Sequence, residues 1–405
     1  MLITTANLAS NPRLLKEYIA LSGTGRYDVY VIGFDLDNWT RQVETQVRTR
    51  YNVSRIKYLQ AGRSPLWPWL VATGVQFLAR ILARVVPANL RMQALAANKL
   101  TFRLMRGLKH MPEKFDVVIA HNLGAWYPAY RLSRKSGSRL VIDVEDYHPG
   151  ERVEHRPQEE RKRREFLMRT LLPKAGYVYF ASPLIEGETL GLTGKLKHHA
   201  VINNCFPKGE FMSSGQSANE QRIRLVWFSQ NISGGRGLEM VIGALKAYAD
   251  QYHLHLIGHL DPTFNDEWVR PNAELITTEP PLPQAELHQR LTAFDVGLAV
   301  EMDTADLNRQ ICLTNKIFAY YQAGLFILAT DTRAQRLFLD RKKGHGQVCA
   351  QTPEGFSHAF HQIGDAIGSI RKDQHNRWQE AQGHAWEEEQ KKLLDIIAKL
   401  TTDHA

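Results

Sequence analysis

Short, continuous apolar runs alternate with stretches of helical period along almost the whole chain. In the first half the runs are "YDVYVIGF" (27–34), "FDVVIAHN" (115–122), "SRLVIDVED" (138–146) and "AGYVYFAS" (175–182). In the second half they are "IRLVWFSQ" (223–230), "LHLIGHL" (254–260), "FDVGLAV" (294–300) and "LFILAT" (325–330). Most follow a helix-like segment such as 12–21 or 238–248. Such strands are apolar on both faces, and alternation with helices predicts parallel sheets covered on both sides. The stretch "LTNKIFAYYQAG" (313–324) reads as a short, mostly apolar helix with Gly324 placed to cap it, followed at once by a buried strand. At the end of the chain, Trp386, Leu393, Leu394, Ile397 and Leu400 recur at helical spacing and predict an amphipathic closing helix.

The rhythm breaks in "NNCFPKGEFMSSGQSANEQ" (203–221), which is rich in Ser, Gly, Asn and Pro. This is the expected linker, since 405 residues exceed one ordinary core. The division is a first α/β domain over 1–205, a second over 206–380, and a closing helix over 381–405 free to pack back on the first. Two such domains create a cleft for ligands. In open parallel sheets ligands sit beyond the carboxyl ends of the strands, so the residues just after each strand are the ones to read for chemistry.

Composition narrows the class. Hydrophobic residues make up 43% and charged residues 23%, as in a folded globular protein. Cys205, Cys312 and Cys349 are odd in number, far apart and without CxxC spacing. That argues against a disulfide framework or structural zinc and fits a reducing compartment. The opening "MLITTANLASNPR" has no secretory pattern. The longest apolar segment, Pro65–Pro87, carries Trp67 and Trp69 and is interrupted by Arg80 and Arg84. Its uninterrupted part, 66–79, is shorter than the roughly 20 residues a spanning helix needs. The composition fits either a helix lying at a membrane surface or an ordinary core helix. "EERKRREF" (159–166) reads as a solvated helix face. The net charge of +9 suits an anionic partner, a nucleotide or an anionic membrane surface. No nucleic-acid motif accompanies it, so no nucleic acid is expected. Gly23-Thr24-Gly25 precedes a strand instead of following one, which excludes a dinucleotide pyrophosphate turn.

The strand ends concentrate candidate chemistry. After 223–230 comes Asn231-Ile232-Ser233-Gly234-Gly235-Arg236-Gly237, leading into a helix. Small residues there let the backbone approach a phosphate, and Arg236 adds a forked donor. After 294–300 come Glu301, Met302, Asp303, then Arg309 and the helix bearing Lys316. A lysine in an apolar helix either snorkels to water or meets an anion, and Arg236 with Lys316 would clamp a diphosphate. In the first half, His121 ends one strand, and Asp143, Glu145 and Asp146 end the next. These groups suit binding of hydroxyls or movement of a proton. Asp35-Leu36-Asp37 reads as a solvated turn rather than a metal site.

Taken together, these residues resemble the GT-B glycosyltransferases, in particular the retaining family 4. Four places carry the likeness: "ASNPRLLKEYIAL", "DVVIAHN" with "LVIDVEDYHPGE", "SGGRGLEMVIGAL", and "FDVGLAVEMD" through "NKIFAYYQAGLFILATD". The resemblance implies two Rossmann-like, doubly wound parallel-sheet domains facing a cleft, the first for an acceptor and the second for a donor. It implies a hexosyltransferase-type enzyme that moves a sugar from a nucleotide-diphosphate sugar to an acceptor hydroxyl on a glycan or lipid-linked acceptor. Such chemistry builds cell-surface polysaccharide or glycolipid, at the cytoplasmic face and peripheral to the membrane.

By matching positions, Arg236, Gly235, Lys316, Gln230 and Asn315 would bind the donor diphosphate. His121, Glu301 and Asp143 would serve catalysis, His121 lining the donor sugar. Pro12, Arg13 and Asp146 would lie on the acceptor side. Two basic groups on the leaving diphosphate would replace a metal, so no metal and no cofactor are expected. Two departures stand out. Ala319 occupies the place of a glutamate that usually grips the donor ribose, and Ser229-Gln230 that of an arginine in the first donor loop. These leave room for a non-catalytic GT-B-like binding protein, and a nucleotide-sugar epimerase is a further alternative.

Overall fold

Two parallel sheets organise the computed structural model, which describes residues 1–36, 40–109, 111, 114–213, 221–302 and 306–402. Among the described residues, thirteen strands follow in chain order: β1 Leu2–Thr4, β2 Val31–Asp35, β3 Ile56–Gln60, β4 Val117–His121, β5 Arg139–Val144, β6 Tyr177–Phe180, β7 His199–Val201, β8 Ile223–Ile232, β9 Tyr252–Leu260, β10 Ile276–Glu279, β11 Val296–Ala299, β12 Phe326–Thr330 and β13 Gly346–Cys349. The first sheet has the order β3-β2-β1-β4-β5-β6-β7, and the second β10-β9-β8-β11-β12-β13. Every pairing in both is parallel. Each order is that of a Rossmann-like, doubly wound sheet, with its reversal between β1 and β4 in one and between β8 and β11 in the other.

The chain divides into two units. Unit 1 comprises Met1–Asn203 with Gln390–Ala405, and unit 2 comprises Asn204–Glu389. The helix Trp386–Thr402 therefore begins in one and ends in the other.

The strands form where apolar runs permit burial on both faces. All residues of β4 and β11 are buried. In unit 2 one core layer sets Trp227, Leu254, Leu256 and Leu298 against the helices Leu238–Leu245 and Pro353–Lys372, through Val241, Phe356 and Phe360. The other sets Val226, Ile257, Ala299 and Ile327 against the helix Asn315–Gln322, through Ile317, Phe318 and Tyr321. Each fully buried Val, Leu, Ile or Phe among them contributes about 1.5–3 kcal/mol by leaving water.

The Asn315–Gln322 helix ends in a Schellman turn. Gly324 takes φ +72, its N–H donates to the Tyr321 carbonyl (3.1 Å), and the Leu325 N–H donates to the Tyr320 carbonyl (3.1 Å). A side chain at 324 would strain that conformation, which is why glycine stands there.

Two sequence expectations change. The apolar segment 66–79 is not an isolated short element: one helix, Leu66–Val85, runs through Arg80 and Arg84 and is long and apolar enough to cross a membrane by length and composition. It is not a core helix either, because only Ala72, Ala79 and Ala83 are buried. Likewise "EERKRREF" is not wholly solvated: within the helix Pro157–Leu171, Arg163 is buried against Glu160 and Glu159.

Candidate functional site

In unit 2 the carboxyl end of β8 carries a register shift between Phe228 and Asn231, so Ser229 and Gln230 leave the ladder. Gln230 is exposed. The loop then reaches the helix Leu238–Leu245 through Gly237, which takes φ +82. A Cβ there would also lie 2.7 Å from Val300 Cγ1 and 2.8 Å from Met302 Sδ, so the loop lies tight against the end of β11. Arg236 is exposed, and its Nη1 donates to Ser229 Oγ at 2.6 Å. The Gly235 N–H donates to Glu239 Oε1 at 2.5 Å, so a tethered carboxylate occupies this helix start.

Beyond β11, Glu301 is fastened by one hydroxyl. Its N–H donates to Thr330 Oγ1 (2.8 Å), and that hydroxyl donates to the Glu301 carbonyl (2.6 Å). The carboxylate then meets two cations: Lys316 Nζ lies 3.2 Å from Oε1, and Arg309 Nη1 lies 3.3 Å from Oε2. Lys316 reaches this position from the first turn of its helix, its ammonium 5.3 Å from the centroid of the buried Trp227 ring. Its apolar stem thus covers an aromatic face while its charge stays partly accessible, at 14% exposure. The helix itself is seated by Tyr320, whose ring rests on Gly297; a Cβ at 297 would lie 2.3 Å from Tyr320 Cγ. Ala319 is wholly buried in this layer. Asn315 is exposed at the helix start and accepts from Asn204 Nδ2 at 2.8 Å. Asp303 lies outside the described residues.

At the carboxyl ends of β8 and β11, then, Glu301 faces two cations and Arg236 is exposed, while Glu239 and the N-cap Asp306 add two carboxylates. This is the switch point of the sheet, where an anionic ligand is bound in folds of this kind.

In unit 1 the corresponding strand ends hold a buried ionic cluster. Asn11 caps the helix Pro12–Gly23, with Pro12 at its first position, and the next turns point Arg13 and Glu17 inward. Arg13 Nε donates to Asp143 Oδ2 (2.6 Å), and Nη1 donates to the Ile202 carbonyl (2.7 Å). His121 lies between carboxylates: Nε2 is 3.1 Å from Glu17 Oε2, and Nδ1 is 3.1 Å from both Asp143 Oδ2 and Glu145 Oε1. The Tyr179 hydroxyl donates to Glu17 at 2.8 Å, and Asn11 Nδ2 donates to Glu145 Oε1 at 3.0 Å. His121 and Asp143 have no exposed surface, whereas the Glu145 side chain keeps 22%.

Burial by itself lowers the imidazole pKa, but Glu17 and the hydrogen-bonded Asp143 and Glu145 outweigh it and hold His121 well above its usual value. Burial likewise raises Asp143, and the Arg13 and His121 charges outweigh that and hold it below the usual carboxylate range. Burial, then Glu17, pushes the Tyr179 hydroxyl up.

Glu17, His121 and Asp143 carry ligand atoms within 4.8 Å of one another, a spacing that can hold a metal ion. Arg13 pairs with Asp143 in the same cluster, where Arg13 Nη2 and Asp143 Oδ1 are buried without a hydrogen-bond partner.

The structure thus gathers Arg13, His121 and Asp143 in one cluster of unit 1, and Lys316, Glu301 and Arg309 in one cluster of unit 2. Asp146 lies just beyond β5, partly exposed, and its carbonyl accepts from the His148 N–H at 3.0 Å. Asp35, at the end of β2, pairs with Arg41 at 2.8 Å, and Asp37 lies outside the described residues. Sequence reasoning did not single out Glu17, Tyr179, Trp227 or Thr330. A helix-interior acid one turn after Arg13 was the one visible hint of Glu17. Nothing local marked the others, because their partners are far away in the chain.

No family model and no curated sequence matches the chain. Solved structures do. Anabaena Alr3699/HepE, in complex with UDP and glucose, is 12% identical and covers 98% of this chain and 99% of its own, with a TM-score of 0.66. The sucrose-phosphate synthase of Thermosynechococcus elongatus is 14% identical over 99% of each chain, with a TM-score of 0.66. A UDP-N-acetylglucosamine 2-epimerase is 10% identical over 98% of this chain and 94% of its own, with a TM-score of 0.58. With its two doubly wound parallel sheets of seven and six strands, the chain therefore has the GT-B fold expected from its sequence.

Proposed function

We propose that this protein is a glycosyltransferase that moves a sugar from a nucleotide-diphosphate sugar, with uridine as the first base to test, to an acceptor hydroxyl. Unit 2 binds the donor and unit 1 the acceptor. The observation that carries this reading is the meeting of two cations, Lys316 and Arg309, on the Glu301 carboxylate at the switch point of the second sheet. It is supported by similarity in fold to Alr3699/HepE, which was solved with UDP and glucose.

In this reading Lys316 exchanges Glu301 for the donor, and together with Arg236 it neutralises the diphosphate. The bond from the sugar's anomeric carbon to the diphosphate oxygen breaks, and its electron pair leaves with the nucleoside diphosphate. The acceptor oxygen bonds the anomeric carbon from the same face, with retention, and its proton passes to the leaving oxygen. Glu301, released from Lys316, grips donor hydroxyls, part of what the glutamate absent at Ala319 would do. The reaction is of hexosyltransferase type, resembles that of family 4, and needs no metal. Its product is a cell-surface polysaccharide or glycolipid made at the cytoplasmic face.

The test is a screen of UDP-sugars, and of sugars on other bases, with release of nucleoside diphosphate and transfer to glycan or lipid-linked acceptors as readouts, with and without EDTA. Transfer unaffected by EDTA is expected. The epimerase neighbour favours a second reading, in which the sugar is epimerised and product appears without transfer to any acceptor. Binding without any turnover points instead to a non-catalytic GT-B-like protein.

A further inference from the structure

The Leu66–Val85 helix spans 20 residues, about 30 Å. Its inner edge is a row of alanines. Ala79 and Ala83 pack with Leu95 and Ala96 of the neighbouring helix, and Met92, Phe102 and Met105 fill in around them. Arg80 and Arg84 reach Glu160 (3.9 Å) and Glu159 (3.1 Å) on the helix Pro157–Leu171. These contacts hold the helix flat along unit 1. They leave its other side bare: Trp67 is 74% exposed, Phe77 64%, Leu78 59% and Val85 73%. At about 100° per residue, all of the helix's exposed large apolar side chains fall within one arc of about 160°. An apolar face of this length on a folded surface marks an interaction site.

Charge identifies the occupant. The chain has 51 basic and 42 acidic residues, but between Thr45 and Pro112 there are twelve basic residues and no acidic one, which leaves 39 against 42 elsewhere. The whole positive excess of the protein therefore lies in the segment that contains this helix. Two of these cations frame its start, Arg63 at 5.2 Å and Lys99 at 5.6 Å from the Trp69 ring centroid. Arg91, Arg106 and Lys109 are exposed. A second copy of the same face would set like charges against each other. A spanning orientation would strip Arg80 and Arg84 from their glutamates.

We propose that this face docks unit 1 on an anionic lipid bilayer, with the helix lying in the plane of the surface. Trp67, Phe77, Leu78 and Val85 sink beneath the headgroups while the surrounding arginines and lysines meet the lipid phosphates. The inference stands whether or not the protein transfers a sugar.

The test is flotation of the full-length protein with phosphatidylcholine vesicles, with and without phosphatidylglycerol. Binding to the anionic vesicles at least about tenfold tighter is expected, weakening as salt rises. Leu78→Asp with Ile81→Asp should abolish flotation while circular dichroism and melting temperature stay unchanged, since both side chains are exposed. Arg63→Gln with Arg91→Gln should weaken binding and flatten its salt dependence. Equal binding to both vesicle types, no flotation, or flotation indifferent to the aspartates would overturn the proposal. So would membrane retention after alkaline carbonate, which signals a spanning helix, or self-association abolished by the aspartates in the absence of vesicle binding.

Discussion

Lys316 and Glu301 form an ion pair of 3.2 Å, each partly buried at 14% and 10% exposure, above the face of Trp227. Glu301 thus fixes the ammonium at the end of β11, and Arg309 Nη1 lies 3.3 Å from its other oxygen.

Removing the ammonium tests the site most directly. Lys316→Ala is expected to weaken nucleoside-diphosphate binding by about 10- to 100-fold, the worth of one or two charge-assisted hydrogen bonds. Isothermal titration with UDP and other nucleoside diphosphates reads this. Affinity unaltered in the mutant would make the helix mere core.

Glu301→Gln should act differently. It frees Lys316, so diphosphate affinity is kept or rises, while turnover drops by about tenfold or more if the carboxylate grips the donor's hydroxyls. Steady-state kinetics beside titration separates the two effects. No change in either would remove Glu301 from the mechanism.

Gly297→Ala probes how the helix is seated. The new methyl would lie 2.3 Å from Tyr320 Cγ, so the ring and its helix must move. Destabilisation of about 1–3 kcal/mol is expected, with weaker nucleotide binding. Denaturation and titration of the same sample check both.

Arg13→Ala leaves Asp143 and Glu17 buried without their guanidinium. Breaking a buried pair in this way costs about 3–5 kcal/mol. With two units in the chain, the readout is the melting transition assigned to unit 1, which should fall while nucleotide binding by unit 2 persists.

The cluster also sets a pH dependence. His121 is raised in the folded state, so its stabilisation is complete below the unfolded value of about 6.5 and is lost as pH climbs through the higher folded value. Asp143 is lowered, so its share is present above about 3.9 and is lost as pH falls through the depressed value. Melting temperature should therefore decline on the alkaline side in a way that His121→Gln flattens. A wild-type profile level from neutrality to pH 10 would contradict the charged imidazole.

The sequence by itself determined the fold class. Runs such as 115–122 and 294–300 are apolar on both faces, and a strand of that kind is stable only inside a parallel sheet flanked by helices. Gly324 and the run behind it likewise announced a helix end and a buried strand, because cap and strand depend on neighbours a few residues away. What only the tertiary structure decided lies at long range. Tyr179 meets Glu17 across 162 positions and Arg13 meets Asp143 across 130, distances over which no local pattern carries a signal. Thr330, which fastens Glu301, reads in sequence only as the end of a strand. The Leu66–Val85 helix makes the same point from the other side. Its apolar composition suits a core and a membrane surface equally, and only its neighbours' shapes decided which face is left uncovered. Composition sets the tendency to leave water, whereas packing sets where that tendency is satisfied.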